Sequence, residues 1–196
     1  MEYLQPDAIA SSKFFDYLRA SNGPALAGFT EWLFQPGMLF NSRETWWGER
    51  QPRSTPHEGL DLCWFAEAAG RISRVDQHLR IPATFAGEII KIDRDFLGKS
   101  IYLGHEICAA DGRQLYTAYG HTRPVASLQV GNRVAAGEII ATIAAASGRK
   151  TRVLPHLHLT LAWMPVPIAP DRLDWQNLGR YPDITLIDPL SVCPTP

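Results

Sequence analysis

The chain has 196 residues, of which 45% are hydrophobic and 20% are charged, and its formal net charge is -1. This length and apolar content suffice for one globular domain with a core, and they do not favour a second full domain. The near-zero net charge excludes an overall electrostatic case for nucleic acid or an anionic membrane surface as partner. A binding function must therefore come from a local site.

Targeting signals indicate where a protein is located, and cysteine pairs indicate whether it contains disulfides. No apolar run approaches membrane-spanning length, and residues 1–12 lack the basic start and apolar segment of a secretory signal. We therefore expect a soluble chain without a transmembrane segment. Cys63, Cys108 and Cys193 form no Cys-x-x-Cys pair, and we interpret all three as small buried hydrophobic residues.

Residues 1–52 are predicted to form a short helix followed by an aromatic wrapping segment. Phe14, Phe15 and Leu18 lie at helical spacing within residues 12–20. From residue 22 to residue 56 the sequence is rich in Gly, Pro and aromatic residues and shows no sustained period, which predicts an irregular segment. Its aromatic side chains are interpreted as core filler or as a cover over a sheet, with the floor of a groove as the alternative.

After Pro56 the sequence changes to short strands separated by turn residues, which is the pattern of a mainly β domain. Strands are expected at residues 59–64, 83–92, 100–107, 114–120 and 134–143. Asp111-Gly112 is a strong hairpin turn signal between two of them. The fold class predicted for residues 53–196 is therefore a curled antiparallel sheet.

Residues 154–161 form an apolar strand candidate that carries two histidines at alternate positions. Successive side chains in a strand face opposite sides, so the three leucines at 157, 159 and 161 are expected in the core. His156, His158 and Thr160 would then share the other face. This face is suited to a metal or a substrate.

His57 and Asp61 are four positions apart, a spacing that keeps both on one face of a helix or a strand. Gly59 lies between them, and its missing side chain would leave room for an ion. Imidazole nitrogen and carboxylate oxygen are both good zinc donors, and three protein ligands leave a fourth position for water. We therefore interpret His57, Asp61 and His158 as a zinc-binding set. By contrast, His78 is expected to be solvated and His105 to make a structural hydrogen bond.

Three motifs in order, His57-x-Gly59-x-Asp61, Tyr119-Gly120-His121 and His156-Leu157-His158, resemble the zinc metallopeptidases of the M23 type, the lysostaphin and LytM group. The sequence between these motifs is similar to that of the family as well, so the resemblance covers about the C-terminal two-thirds of the chain. It implies a metallopeptidase domain over residues 53–196, built on a duplicated hybrid motif, with the metal site on the concave face of its sheet. The similar stretches are residues 82–92, 98–106, 130–134, 137–140 and 187–190.

The resemblance also implies a reaction. His57, Asp61 and His158 would hold Zn2+, while His121 and His156 would be the catalytic residues beside it. Members of the family cut peptide bonds in bacterial cell-wall peptidoglycan, which implies a peptide substrate and a location in the cell envelope or periplasm. The sequence does not divide the catalytic roles between His121 and His156.

Two other functions compete with the zinc endopeptidase. A module of the same fold without catalytic activity would bind or regulate cell-wall enzymes, although every expected ligand is retained here. A swinging-arm carrier is suggested by the repeated Gly-Glu-Ile-Ile text at residues 87–90 and 137–140, but neither Lys91 nor Lys99 has the Met-Lys-Met setting of such carriers. The endopeptidase ranks first, and turnover of wall peptides would separate it from both.

Overall fold

The structure is a computed structural model that describes residues 9–145, 153–174 and 178–195. It is mainly β and its strand pairs are antiparallel, which confirms the predicted fold class. Within the described residues, no helix is long and apolar enough to cross a membrane. The polar and basic stretch of sequence at residues 147–152 lies outside the described residues.

The described helices are α1 (Phe14–Ser21) and α2 (Pro189–Val192), together with single 3-10 turns at Pro36–Met38 and Pro170–Arg172. The strands are β1 (Phe29–Leu33), β2 (Leu60–Leu62), β3 (Trp64–Glu67), β4 (Ile72–Arg74), β5 (Arg80–Pro82), β6 (Gly87–Arg94), β7 (Lys99–Cys108), β8 (Gln114–Pro124), β9 (Arg133–Val134), β10 (Ile139–Ile143), β11 (Leu157–Met164) and β12 (Thr185–Ile187).

Most strands belong to one nine-stranded sheet. Its main path runs β12-β11-β8-β7-β6-β9, while β10 pairs with both β5 and β8, and β2 pairs with β11. A separate three-stranded sheet has the order β1-β3-β4. Strand β11 thus lies at a junction, because it pairs with β2, β8 and β12.

The structure refines the strands expected from the sequence. The hairpin at Asp111-Gly112 is present, with Gly112 at a φ of 84° and the amide of Ala109 bonded to the carbonyl of Arg113. The stretch 134–143 is divided into β9 and β10 by a turn in which Gly137 has a φ of 80°. The aromatic segment before Pro56 also contains β1, which pairs with β3.

The core holds the residues that the apolar patterns select. Phe14, Phe15 and Leu18 on α1 are buried, and Leu157, Leu159 and Leu161 on β11 belong to the same hydrophobic cluster. The three leucines are fully buried in the core, so the opposite face of β11, which carries Thr160, is the face that can form a site. The expectation for the cysteines is correct for Cys63 and Cys193 but wrong for Cys108, which is exposed at the end of β7, where the chain leaves the core for a turn.

Candidate metal centre

The pairing register of β11 brings the candidate metal ligands together. His158 lies directly opposite Asp61 on β2 and directly opposite Gly120 on β8. Opposed residues on antiparallel strands point to the same face, so the side chains of His158 and Asp61 meet. His57 lies in the segment before β2, where its amide donates to the carbonyl of Ser42 and its own carbonyl accepts from the amide of Asn41.

The three side chains present one donor atom each to a common point. Nδ1 of His158 lies 2.8 Å from Oδ1 of Asp61 and 3.2 Å from Nε2 of His57, and the third side of this triangle, from His57 Nε2 to Asp61 Oδ1, is 3.3 Å. Zinc binds nitrogen and carboxylate oxygen at about 2.0–2.2 Å, which in a tetrahedron separates ligand atoms by about 3.3–3.6 Å. The side chains are buried, with exposed fractions of 1%, 1% and 7% for His57, Asp61 and His158. The donor set therefore suits a zinc ion. Two sides of the triangle, 2.8 Å and 3.2 Å, are shorter than the spacing of ligand atoms around zinc, so the three side chains would move slightly apart around the ion.

A second layer of hydrogen bonds fixes the orientation of each candidate ligand. His57 directs Nδ1 at the carbonyl oxygen of Leu39 across 3.0 Å, so this nitrogen carries the hydrogen and Nε2 keeps its lone pair for the centre. Oδ2 of Asp61 accepts a hydrogen bond of 2.7 Å from Nε1 of Trp46. Nε2 of His158 lies 2.9 Å from the hydroxyl of Thr160. Each ligand is thus held through the atom that faces away from the centre.

His156 and His121 lie beside this group. Nε2 of His156 is 3.6 Å from Oδ1 of Asp61, and its ring centroid is 4.7 Å from that of His121. The centroids of His121 and His158 are 6.1 Å apart. Nδ1 of His156 donates to the carbonyl of Leu154 across 2.7 Å, which leaves Nε2 as the acceptor atom on the side of Asp61.

His121 reaches the site because its backbone departs from the regular strand. Gly120 opposes His158, so in an unbroken pleat the next side chain would face away from His158. His121 has a φ of 62°, in the left-handed region that non-glycine residues rarely adopt. This left-handed residue interrupts the alternation and accompanies the ring contacts of His121 with His156 and His158.

Asp95 is the carboxylate that holds His121. Its Oδ2 accepts a 2.8 Å hydrogen bond from the His121 amide, and its Oδ1 lies 3.3 Å from Nδ1 of the same residue. The same side chain also accepts from the amides of Leu97 and Gly98 and from the hydroxyl of Ser100. The ring of Phe96 packs edge-on against the His121 ring, with centroids 4.6 Å apart.

The electrostatics of the site follow from burial and from these contacts. Burial opposes ionisation of the Asp61 carboxyl group, but the neighbouring imidazoles, led by His156, hold its pKa well below its usual range. For Asp95 burial again opposes ionisation, and the hydrogen bonds from His121 and the loop amides prevail and hold its pKa low. Burial lowers the pKa of His156 to about 4. At neutral pH the site therefore contains two carboxylates beside a neutral His156.

The remaining histidines lie apart from this group. His78 is exposed in the turn before β5. His105 is buried elsewhere in the sheet, where Nδ1 meets the carbonyl of Ala86 at 3.0 Å and Nε2 meets the hydroxyl of Thr117 at 2.7 Å. Both positions agree with the expectations from sequence.

The structure requires glycine at position 59 for a reason other than the one expected. A Cβ atom there would meet the carbonyl oxygen of Leu159, and it would lie 2.7 Å from the hydroxyl of Thr160 and 2.8 Å from Nε2 of His158. The missing side chain therefore makes room for strand β11 to approach β2, and the space is not left for an ion. The close approach of the two strands is what brings His158 to Asp61.

Trp46, Leu39 and Asp95 contact the site but were not singled out as site residues from the sequence. Trp46 was interpreted as filler or cover, and its spacing from Asp61 carries no periodic signal. Asp95 lies in a tight turn, where an Asp is ordinary without any ligand. The contribution of Leu39 is its backbone carbonyl, which any residue would supply.

A groove of about 1230 Å³ lies next to His121. Its lining includes Asp95 and Thr122, and apolar side chains such as Leu97 and Val125 form part of its walls. Arg94, Lys99 and Arg123 also line it, and their side chains are exposed. Among the described residues no ion-pair partner is found for these three cations, so the groove presents positive charge beside the candidate site.

Several solved structures are similar to this chain. Helicobacter pylori Csd3 shares 19% identity at a TM-score of 0.48, with 87% of this chain and 36% of that chain covered. A putative glycyl-glycine endopeptidase LytM from Ruminococcus gnavus shares 18% identity at a TM-score of 0.42, with 69% and 45% covered. A zinc-containing peptidase from Vibrio cholerae shares 22% identity at a TM-score of 0.40, with 68% and 36% covered. The present chain thus spans less than half of the length of each of these three.

The family assignment comes from the sequence. No curated protein matches the chain. The model of peptidase family M23, in contrast, matches residues 56–170, which are more than half of the chain and include all five residues singled out as ligands or catalytic groups. The chain therefore belongs to peptidase family M23.

Proposed function

We propose that the protein is a zinc-dependent endopeptidase that hydrolyses peptide bonds in bacterial cell-wall peptidoglycan. The observation that carries this proposal is the triangle of His57 Nε2, Asp61 Oδ1 and His158 Nδ1, with sides of 2.8–3.3 Å. These three atoms would hold the zinc. When bound, zinc acts as a Lewis acid toward a peptide carbonyl and lowers the pKa of a coordinated water toward about 7.

His121 and His156 would perform the proton transfers of this reaction. Both rings have Nδ1 engaged, by the carboxylate of Asp95 and by the carbonyl of Leu154 respectively. Nε2 of each ring is then the atom available to accept a proton and return it to the leaving amine. Two such groups beside one metal serve both halves of a hydrolysis, and the contacts do not divide the two roles between them.

The groove next to His121 would accommodate part of the peptide. Its apolar side chains, such as Leu97 and Val125, suit the apolar parts of a peptide, and Arg94, Lys99 and Arg123 suit carboxylate groups. A wall substrate would place the enzyme in the cell envelope or periplasm. We further propose residues 53–196 as the peptidase domain and residues 1–52 as a separate N-terminal helix and aromatic wrapping segment.

Turnover of defined peptides tests the proposal. The zinc-loaded protein is incubated with pentaglycine and with cross-linked peptidoglycan peptides, and new primary amines are measured together with product masses. We expect amine release by the parent and a loss of several orders of magnitude in His121→Ala. A parent that binds these peptides without cutting any of them would support the regulatory module instead. A His121→Ala variant as active as the parent would reject the mechanism.

A further inference from the structure

We infer that residues 36–53 are a built-in part of the metal centre, because they orient two of its three candidate ligands through Trp46 and Leu39. This inference rests on the zinc site of the proposed function. It concerns a segment that precedes the stretch matched by the family model, which begins at residue 56.

Trp46 grips Asp61. Its indole nitrogen donates to Oδ2 of Asp61 across 2.7 Å, in a contact that is buried from solvent. An indole N–H is a donor only, so the bond requires an acceptor oxygen at this point. With Oδ2 engaged, Asp61 presents Oδ1 alone to His57 and His158. Trp46 therefore selects which oxygen faces the metal.

The same indole also contacts a candidate catalytic group. The ring of Trp46 meets the ring of His156 edge-on, with centroids 5.1 Å apart and planes at 89°. The indole thus lies against both Asp61 and His156. One side chain from the segment therefore bounds the site on two sides.

The backbone of the segment holds His57 in a similar way. The carbonyl of Leu39 lies 3.0 Å from Nδ1 of His57, while backbone hydrogen bonds join His57 to Ser42 and to Asn41. These contacts fix both the position of His57 in the chain and the rotation of its ring. The ring can then direct only Nε2 toward Asp61 and His158.

The segment is itself folded around Gly37 and Arg53. A Cβ atom on Gly37 would lie 2.6 Å from the backbone of Thr45 and 2.6 Å from that of Trp46, so only glycine allows this approach. The Arg53 guanidinium donates to the carbonyls of Gly37 and Glu44, both across 3.1 Å. Arg53 also lies 4.0 Å from Oδ2 of Asp61. The segment therefore has its own fixed shape against the site.

The atoms that the segment contacts indicate that it supports the candidate ligands and does not block access to them. The segment bonds Oδ2 of Asp61 and Nδ1 of His57, which are the atoms turned away from the centre. The inward atoms, Oδ1 and Nε2, remain for the metal. Bonds of this kind to the outer atoms of metal ligands typically contribute about 10–100-fold in metal affinity.

The test is the zinc affinity of Trp46→Phe in the full chain, measured by competition with a chelator of known affinity. We expect the zinc Kd to rise by about 10–100-fold, because Oδ2 of Asp61 loses its donor. Trp47→Phe is the matched control, since Trp47 is adjacent and packs on Trp46 and Arg53 but makes no bond to a candidate ligand. Its zinc affinity is expected to be that of the parent. Thermal melting of the zinc-free proteins shows whether each variant is folded.

Parent-like zinc affinity in Trp46→Phe would overturn the inference. Faster peptide hydrolysis by Trp46→Phe at unchanged zinc affinity would also overturn the inference, because it would show that the segment blocks access to the site. If the parent itself bound no zinc, the proposed function would fail. If only the difference between Trp46→Phe and Trp47→Phe were absent, this inference alone would fail.

Discussion

Asp95 holds His121 at two points, because its carboxylate accepts the His121 amide hydrogen across 2.8 Å and lies 3.3 Å from the ring nitrogen Nδ1. A carboxylate beside Nδ1 favours the tautomer with its hydrogen on that nitrogen. Nε2 is then left with its lone pair on the side of the candidate centre. The turn at residues 95–98, through the buried side chain of Asp95, therefore positions a catalytic candidate that lies 26 positions later in the chain.

Asp95→Asn is expected to reduce kcat by on the order of 10²-fold with a much smaller change in KM. All the contacts of Asp95 come from hydrogen donors, and an amide group would direct an NH2 at one of them, so that His121 shifts from its position. Peptide hydrolysis under saturating zinc measures the effect. Zinc affinity is expected to stay at the parent value.

Asp93→Asn is the matched control, because Asp93 is two positions away and half-exposed and pairs with Lys91. We expect its kcat to equal that of the parent. Unchanged kcat in Asp95→Asn, or a parallel loss of zinc, would contradict a positioning role for Asp95.

The left-handed backbone of His121 predicts an unusual order of stability. His121→Gly and His121→Ala both remove the imidazole, but a Cβ atom at a φ of 62° costs about 1–2 kcal/mol. We therefore expect the glycine variant to have a free energy of unfolding equal to or above that of the alanine variant. Chemical denaturation of the zinc-free proteins gives the comparison.

An ordinary strand position serves as the reference for this pair. At Asp93, which is half-exposed in β6 and pairs regularly with Ser100 on β7, glycine is expected to be less stable than alanine by about 0.5–1 kcal/mol. The same order at position 121 would show that His121 carries no backbone strain.

His105 predicts a dependence of stability on pH. Burial lowers the pKa of its imidazole to about 4, whereas an unfolded chain has a His pKa near about 6.5. The folded-state pKa is depressed, so the contribution of neutral His105 is fully present above about pH 6.5. It is lost as the pH falls toward about 4, where the total loss reaches about 3 kcal/mol.

The measurement is the free energy of unfolding of the parent and of His105→Asn between pH 7.5 and pH 4, which are about the limits of this window. The advantage of the parent over the variant is expected to shrink as the pH falls. His78→Asn, at an exposed histidine, controls for the general effect of acid and should run parallel to the parent. An advantage that stays constant would contradict a neutral, buried His105.

The groove beside His121 predicts a preference among peptides. Arg123→Gln is expected to raise KM by about 2- to 5-fold for a peptide with a free carboxylate in this groove, the effect of an exposed ion pair of up to about 1 kcal/mol. The amidated form of the same peptide should show no change, and high salt should abolish the difference. Arg133→Gln is the control, since Arg133 is exposed and already pairs with Glu106. Equal effects on both peptides would reject the groove as a carboxylate site.

Local patterns in the sequence predicted the fold class and indicated the candidate ligands that the structure brings together, for identifiable physical reasons. Alternation along residues 154–161 assigns the leucines to the core and His158 to the opposite face, because the period of a strand is two. The turn at Asp111-Gly112 is set by two adjacent residues. The spacing of four indicated that His57 and Asp61 share a face, whereas their close contact depends on the irregular segment before β2 in which His57 lies.

The remaining parts of the site depend on contacts between distant segments. Trp46 meets Asp61 across 15 positions and Asp95 meets His121 across 26, and neither pair has a periodic signature. The role of Gly59 was misjudged for the same reason, because the strand that fills its space is about 100 positions away. The left-handed backbone at His121 is likewise set by tertiary contacts.

The most direct test of the zinc assignment is native mass spectrometry of the zinc-loaded parent, His158→Ala and His156→Ala. His158 supplies one corner of the donor triangle, whereas His156 lies beside it with Nε2 3.6 Å from Asp61. We expect one zinc ion on the parent and on His156→Ala, and none on His158→Ala. Loss of zinc from His156→Ala with retention by His158→Ala would contradict the assignment.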